Sequence, residues 1–150
     1  QPMAIDLRET VVALKISSDL ERIGDLAKNI SKRLISVGVD LPTEIIKNLE
    51  IAGLKAAKQV NSVLNSYLHR DKAVAESVWN SDEEIDQITN VNMEAAIKHL
   101  EKNKSDIKKV TQLLFVLKNT ERIGDHATNV AEQTYFLITG EYLEGDRPKA

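Results

Sequence analysis

The sequence predicts an all-α protein of long antiparallel helices, and three observations carry that reading. Proline occurs only at positions 2, 42 and 148 of the 150 residues, so long stretches lack the residue that most strongly interrupts a helix. Apolar residues recur at alternating spacings of three and four, the period of one helix face, with few of the signals that mark strands. The segments between these stripes are short, about two to eight residues, and short links force consecutive helices to run back along one another.

Each element follows from local signals. Asp6 is placed to cap a first helix, whose stripe of Ile16, Leu20, Ile23, Ala27, Ile30 and Leu34 marks a packed face and which ends near Gly38. Asp40, with Pro42 in the next turn, opens a second helix through Ile45, Leu49, Ala52, Ala56, Val60, Val63 and Tyr67 to about His69. Asp71 caps a third helix, which carries Val78, Ile85, Ile88, Ala95 and Ala96 and decays in Glu101-Lys102-Asn103-Lys104. Ser105 or Asp106 caps a fourth, which ends near Gly140. Residues 141–150 form a polar tail with Gly145 and Pro148 and are expected to fray. Trp79, Phe115 and Phe136 are most simply core or interface residues.

Composition narrows the class further. A chain 42% hydrophobic, 29% charged and 4% aromatic is an ordinary globular protein, which excludes disordered, collagenous and disulfide-scaffold classes. The longest apolar run, Leu113 to Leu117, is far short of the roughly 18 residues of a membrane span, and Gln1 to Leu7 lacks signal-peptide character. A soluble protein is expected. Without cysteine there is no disulfide, thiolate metal site or cysteine nucleophile. A formal charge of −3 gives no electrostatic reason to expect nucleic acid or acidic lipid. The chain opens on Gln1-Pro2-Met3 without an initiator methionine, which predicts a piece of a longer protein.

The most informative feature is an internal repeat. Leu20-Glu21-Arg22-Ile23-Gly24-Asp25-Leu26-Ala27-Lys28-Asn29-Ile30 returns one hundred residues later as Thr120-Glu121-Arg122-Ile123-Gly124-Asp125-His126-Ala127-Thr128-Asn129-Val130. The first and fourth helices are therefore copies of one element, and the period suits a duplicated three-helix unit rather than a solenoid. Residues 39–140 read as one complete unit and residues 1–38 as the last helix of a preceding one. Gly24 and Gly124 each cost a helix about 0.8 to 1 kcal/mol relative to alanine, which makes sense where something approaches the backbone closely. Glu21 with Asp25, and Glu121 with Asp125, are like charges four apart and weaken a bare helix. At about 100° per residue, Glu21, Asp25 and Asn29 share a strip roughly opposite the core stripe, as do Glu121, Asp125 and Asn129, so the acids are expected on an outer face. A third pair, Asp82 and Asp86 with Asn90 beyond, lies at a similar distance from the turn near Asn103 and would run beside the Glu121 strip if the third and fourth helices are antiparallel.

Four carboxylates converging from two helices form a hard oxygen-donor set suited to iron, manganese, magnesium or calcium rather than a structural zinc site. An isolated Glu-x-x-x-Asp is usually a solvated face; its repetition with glycine and asparagine points instead to a ligand. The inward di-iron bundle design is disfavoured, because no glutamate here has histidine three residues later. Arg22 and Arg122 are read as structural ion-pair partners, with an anion-binding role left open. His126 replaces Leu26 of the other copy and is read as a partly exposed or supporting residue rather than a ligand, and His69 and His99 have no partner pattern. No phosphate loop, nucleophile triad or histidine metal motif supports catalysis.

The block Gln1-Pro2-Met3-Ala4 with Asp6-Leu7-Arg8, then Leu20-Glu21-Arg22-Ile23-Gly24-Asp25 and its return at Glu121-Arg122-Ile123-Gly124-Asp125-His126, closely resembles the PhoU family of bacterial phosphate-transport accessory proteins, over residues 1 to 139. The resemblance implies two similar three-helix bundles, one of them complete over residues 42–139. It also implies Glu/Asp-x-x-x-Asp motifs that bind iron clusters or another divalent metal, with manganese, magnesium, calcium and zinc all open. Carried over, Asp82, Asp86, Glu121 and Asp125 would make a complete site, and Glu21 with Asp25 half of another. The departure is the truncated start, without the first two helices of the first bundle. The implied role is a cytoplasmic, non-enzymatic negative regulator of the phosphate-starvation response that couples the phosphate ABC transporter ATPase to the sensor histidine kinase. It would meet the membrane face only through these partners, and it is expected to form a homo-oligomer. Two alternatives stand beside it, a metal-dependent enzyme using the carboxylate cluster and a structural helical adaptor without stable metal. The apolar stripe of the first helix must be covered, either on the other helices as a four-helix bundle or by a second copy.

Overall fold

The computed structural model describes residues 2–38 and 40–145. Among the described residues five α-helices follow in order: α1 (Pro2–Val37), α2 (Thr43–His69), α3 (Lys72–Asn80), α4 (Asp82–Lys102) and, after a short 3-10 turn at Lys104–Asp106, α5 (Ile107–Thr139). The all-α prediction holds, and the helix ends at Gly38 and Gly140 fall where glycine can adopt positive φ, 69° and 79°. Four local expectations are corrected. α1 already runs from Pro2, so Asp6 lies inside the helix rather than at its cap. Asp40 does not cap α2; Pro42 holds that position and the Asp40 carboxylate accepts from Lys109 Nζ at 2.9 Å. Asp106 stands at the cap of α5 but makes no capping bond, because its Oδ2 lies 2.8 Å from His99 Nε2.

The fourth correction shapes the site. The expected third helix is broken at Ser81, whose N–H and hydroxyl both donate to Val78 O, at 3.1 and 2.9 Å. Serine competes for its own backbone, and three acids at Asp82, Glu83 and Glu84 favour a new helix N-terminus, where the dipole is positive. Gln59 of α2 completes the break by donating Nε2 to Ser81 O and Oγ, each at 3.1 Å. Asp71 does cap α3, accepting from Ala73 N and Val74 N.

α5 is the central element and packs against every other helix. One core cluster joins Val12 and Ile16 of α1 to Val63, Val78, Trp79 and Val130; a second gathers Ile45, Ala96, Val110, Leu113 and Leu117. A third, smaller cluster of Ala56, Ile85 and Ile123 lies between them. Burying each Val, Ile or Leu fully is worth about 1.5–3 kcal/mol, so these clusters hold the helices in register. α1 runs antiparallel to α5, as the contacts Arg8–Phe136, Asp19–His126 and Arg33–Gln112 require. It does not close a four-helix bundle along its whole length. Val12 and Ile16 are covered, but further on α1 stands off α2 and leaves an open apolar groove of about 800 Å3 lined by Ile23, Ile30, Leu34, Leu49, Ala57 and Leu64. Phe115, expected in the core or an interface, is 48% exposed with the Arg33 guanidinium 4.4 Å above its ring. Beyond α5, Tyr142 stacks on Phe136 with ring centroids 4.5 Å apart and Leu143 packs on the first cluster; residues 146–150 lie outside the described residues.

Candidate metal centre and the crossing of the repeats

The seam between α4 and α5 is set by one contact. A Cβ on Gly124 would lie 3.1 Å from Ile85 Cδ1 and 3.2 Å from Gln59 Oε1, so glycine lets α4 and α2 approach α5 here. Ile85 is 1% exposed and acts as the fixed point. Asp82 and Asp86 flank it on α4, and Glu121 and Asp125 flank Gly124 on α5. Asp82 is 3% exposed and accepts from Thr128 Oγ1 at 2.9 Å, while that hydroxyl also lies 3.0 Å from Gly124 O. A buried carboxylate is costly without such a donor, and the first turn of α4 adds a favourable dipole. Glu121 pairs with Lys118 at 2.9 Å. Asp86, Glu121 and Asp125 are half-buried, so the outer face expected from helical angles is on α5 a partly covered seam.

Glu21 and Asp25 behave differently. They are exposed on α1, whose backbone lies along α5 and not beside α4 among the described residues, so they belong to a different seam from the four acids. The antiparallel register makes the two repeated blocks cross at their centres, with Ile23 packed on the Ile123 cluster and Arg22 and Arg122 lining one cleft. The crossing is pinned on one side by His126, whose Nδ1 lies 2.7 Å from Asp19 Oδ1, and by Asn129, which donates to the same oxygen at 3.3 Å. His126 is partly exposed, one of the two expected settings, and no local signal points to its partner Asp19, 107 residues away. Arg22 and Arg122, expected in ion pairs, form none among the described residues. His99, for which the sequence shows no partner pattern, meets Asp106. Thr128 and Gln59, which order the seam, carry little sequence signal; that of Thr128 is its replacement of the charged Lys28 in the repeat.

Whether the seam suits a metal is a question of donors and placement. The donors fit a hard cation, since Asp82, Asp86, Glu121 and Asp125 offer only carboxylate oxygens. Their placement is not a preassembled cage: among the described residues no three His, Asp or Glu side chains gather as a metal-holding group. Thr128 and Lys118 hold two of the four acids in other bonds. A cation would therefore have to draw Glu121 from a surface lysine, an exchange that costs little because exposed pairs are weak.

Two copies of one acid-bearing block that cross within a helical bundle, with a third acidic pair on the neighbouring helix, define the class: an all-α bundle protein with an internal repeat. The chain belongs to the PhoU domain family, whose model matches residues 1–34 and 49–134. It is 45% identical over 150 residues to a phosphate-specific transport system accessory protein PhoU homolog of Caulobacter vibrioides, and 43% identical to the homolog of Rhizobium meliloti, with 99% of this chain aligned in each case. The chain spans 65% and 63% of the lengths of those relatives. In structure it is similar to PhoU of Pseudomonas aeruginosa, with a TM-score of 0.85 and 30% identity over 94% of this chain and 68% of that one. A similar likeness holds to the phosphate transport system regulatory protein PhoU of Streptococcus pneumoniae, with a TM-score of 0.82 and 28% identity over 93% of this chain and 66% of that one. No helix among the described residues is long and apolar enough to cross a membrane.

Proposed function

We propose that the chain serves phosphate-specific transport as a non-enzymatic accessory protein, restraining the phosphate-starvation response by coupling the transporter ATPase to the sensor histidine kinase at the cytoplasmic face of the membrane. The observation that carries this reading is the duplicated Glu-Arg-Ile-Gly-Asp block in a chain 45% identical to a relative named for that system. The acids of the α4–α5 seam hold a cation in this reading: Asp82 and Asp86 from α4, Glu121 and Asp125 from α5, with Glu21 and Asp25 contributing to a separate half-site. Bound there, iron or another divalent metal would neutralise like charges and stiffen the seam. The donor chemistry and the close approach at Gly124 support that assignment. The open apolar groove between α1 and α2 supports association with a second copy.

Two experiments test the proposal. Protein purified with its metal should lose most of it when Glu121 and Asp125 are both changed to alanine, and less when Glu21 and Asp25 are; metal content unchanged in the first variant would refute the seam assignment. Binding of the full-length protein to the transporter ATPase or to the sensor kinase tests the regulatory role. Failure to bind either, with phosphate-responsive expression unchanged on deletion, would overturn it, and turnover that tracks metal content would favour an enzyme instead.

A further inference from the structure

Where the repeats cross, one flank of the α1–α5 seam opens as a cleft of about 410 Å3 whose lining includes Arg22, Lys28 and Lys32 from α1 and Arg122 and His126 from α5. The duplication itself produces this concentration, because antiparallel packing brings both copies of the same arginine to one place. Asp25 is the one carboxylate in the lining. Four permanent cations against one carboxylate leave an excess of three positive charges, in a chain whose net charge is −3. Arg22, Lys28, Lys32 and Arg122 form no ion pair or side-chain hydrogen bond among the described residues, whereas Lys118 takes Glu121, the acid beside Arg122. Asp19 stands behind His126, engaged by that ring and by Asn129, and is not part of the lining.

Unpaired guanidinium groups converging on one cleft are suited to oxyanions, since each planar fork can donate two parallel hydrogen bonds to a phosphate. A single phosphate carries about −1.5 to −2 at pH 7 and would leave about a third to a half of the excess charge unanswered. Two linked phosphates match it. The cleft is also larger than one phosphate requires and falls in the range of about 300–1,000 Å3 usual for small organic ligands. We propose that it binds a free di- or triphosphate group, as inorganic pyrophosphate or the phosphate end of a nucleotide. This site is distinct from the acids of the α4–α5 seam; it shares Asp25 with the α1 half-site, but its cations, not a metal, are what hold the phosphates.

The test is calorimetric titration of the full-length protein, as purified, with pyrophosphate, and in parallel with inorganic phosphate and with phosphatidylglycerol vesicles. One pyrophosphate should bind per chain, at least tenfold more tightly than phosphate, weakening as salt is raised and unaffected by EDTA. R22Q/R122Q should lower the affinity tenfold or more. K28Q/K32Q, at two exposed positions that leave the core alone, should lower it several-fold, and the control K15Q/K47Q, which removes the same charge elsewhere, should leave it unchanged; thermal melts confirm that each variant is folded. Absence of pyrophosphate binding, an equal loss in the control, or binding that disappears with EDTA overturns the proposal. Vesicle binding that requires the two arginines, without pyrophosphate binding, replaces it with a lipid surface.

Discussion

The two copies of the repeated block share Glu-Arg-Ile-Gly-Asp and have different fates. In α5 the block is enclosed: Ile123 is 8% exposed, Gly124 is buried against Ile85 and Gln59, and Thr128 bonds a buried Asp82. In α1 the same positions face outward: Gly24 has nothing within 4 Å of a Cβ, Glu21 and Asp25 are exposed, and Lys28 stands where α5 has Thr128. A motif is therefore not an environment. The cost of glycine in a helix is explained at Gly124 by the approach of α4, and nothing in the structure explains it at Gly24.

That contrast makes graded predictions, measured by denaturant or thermal unfolding. The largest effect should come from Ile123→Ala, about 2–4 kcal/mol of destabilisation from a core cavity, against roughly 1 kcal/mol for Ile23→Ala at the half-open face. Equal losses would mean that the α1 copy is as enclosed as the α5 copy. Gly124→Leu should destabilise by about 1–3 kcal/mol, because Ile85 has no space to yield. Gly24→Leu should instead stabilise by up to about 1 kcal/mol through helix propensity alone. The opposite signs are the sharpest discriminator, and a matching loss at Gly24 would reveal a neighbour that the fold does not show. Asp19→Ala removes the tie to His126 and Asn129 and should cost about 1 kcal/mol; no change would mean that apolar packing alone sets the crossing.

The smallest effect is at the tether between the copies, where Asp40, just past α1, meets Lys109 at the start of α5. The Lys109 hydrogen bond, and then its charge, hold the Asp40 carboxyl below its ordinary value of 3.8, and the same hydrogen bond holds Lys109 above its ordinary 10.5. A carboxyl whose folded pKa is depressed contributes stability above its unfolded value and loses it as pH falls through the folded one. Asp40→Asn should therefore differ slightly from the parent at neutral pH and converge on it only as pH falls below 3.8 and through the depressed folded value. A difference that persists in acid would mean that the pair acts through something other than charge.

Much of this was legible from local pattern. The helix ends at Gly38, His69 and Gly140, the Asp71 cap and the buried positions Ile45, Ala52, Ala56 and Val63 follow from spacing and capping chemistry, which act within a few residues. The break at Ser81 was readable in principle, since Ser81 followed by Glu84 has the composition of a helix start, but the apolar period runs through it and hid it. Asp40 and Asp106 failed as caps because side chains elsewhere, Lys109 and His99, met the same carboxylates. The seam acids were legible as candidates and their burial was not, because helical angles state which residues share a side and not what packs there.

The sequence by itself determined an all-helical protein, the duplication and the acidic pairs on two helices of one unit, because periodicity, capping and self-similarity are properties of the chain alone. Only the tertiary structure decided that α1 runs antiparallel along α5, that the repeats cross at their arginines, and that one copy is enclosed while the other is open. Those outcomes rest on side chains more than 40 residues apart, such as Asp82 with Thr128 and Asp19 with His126, whose meeting is fixed by packing.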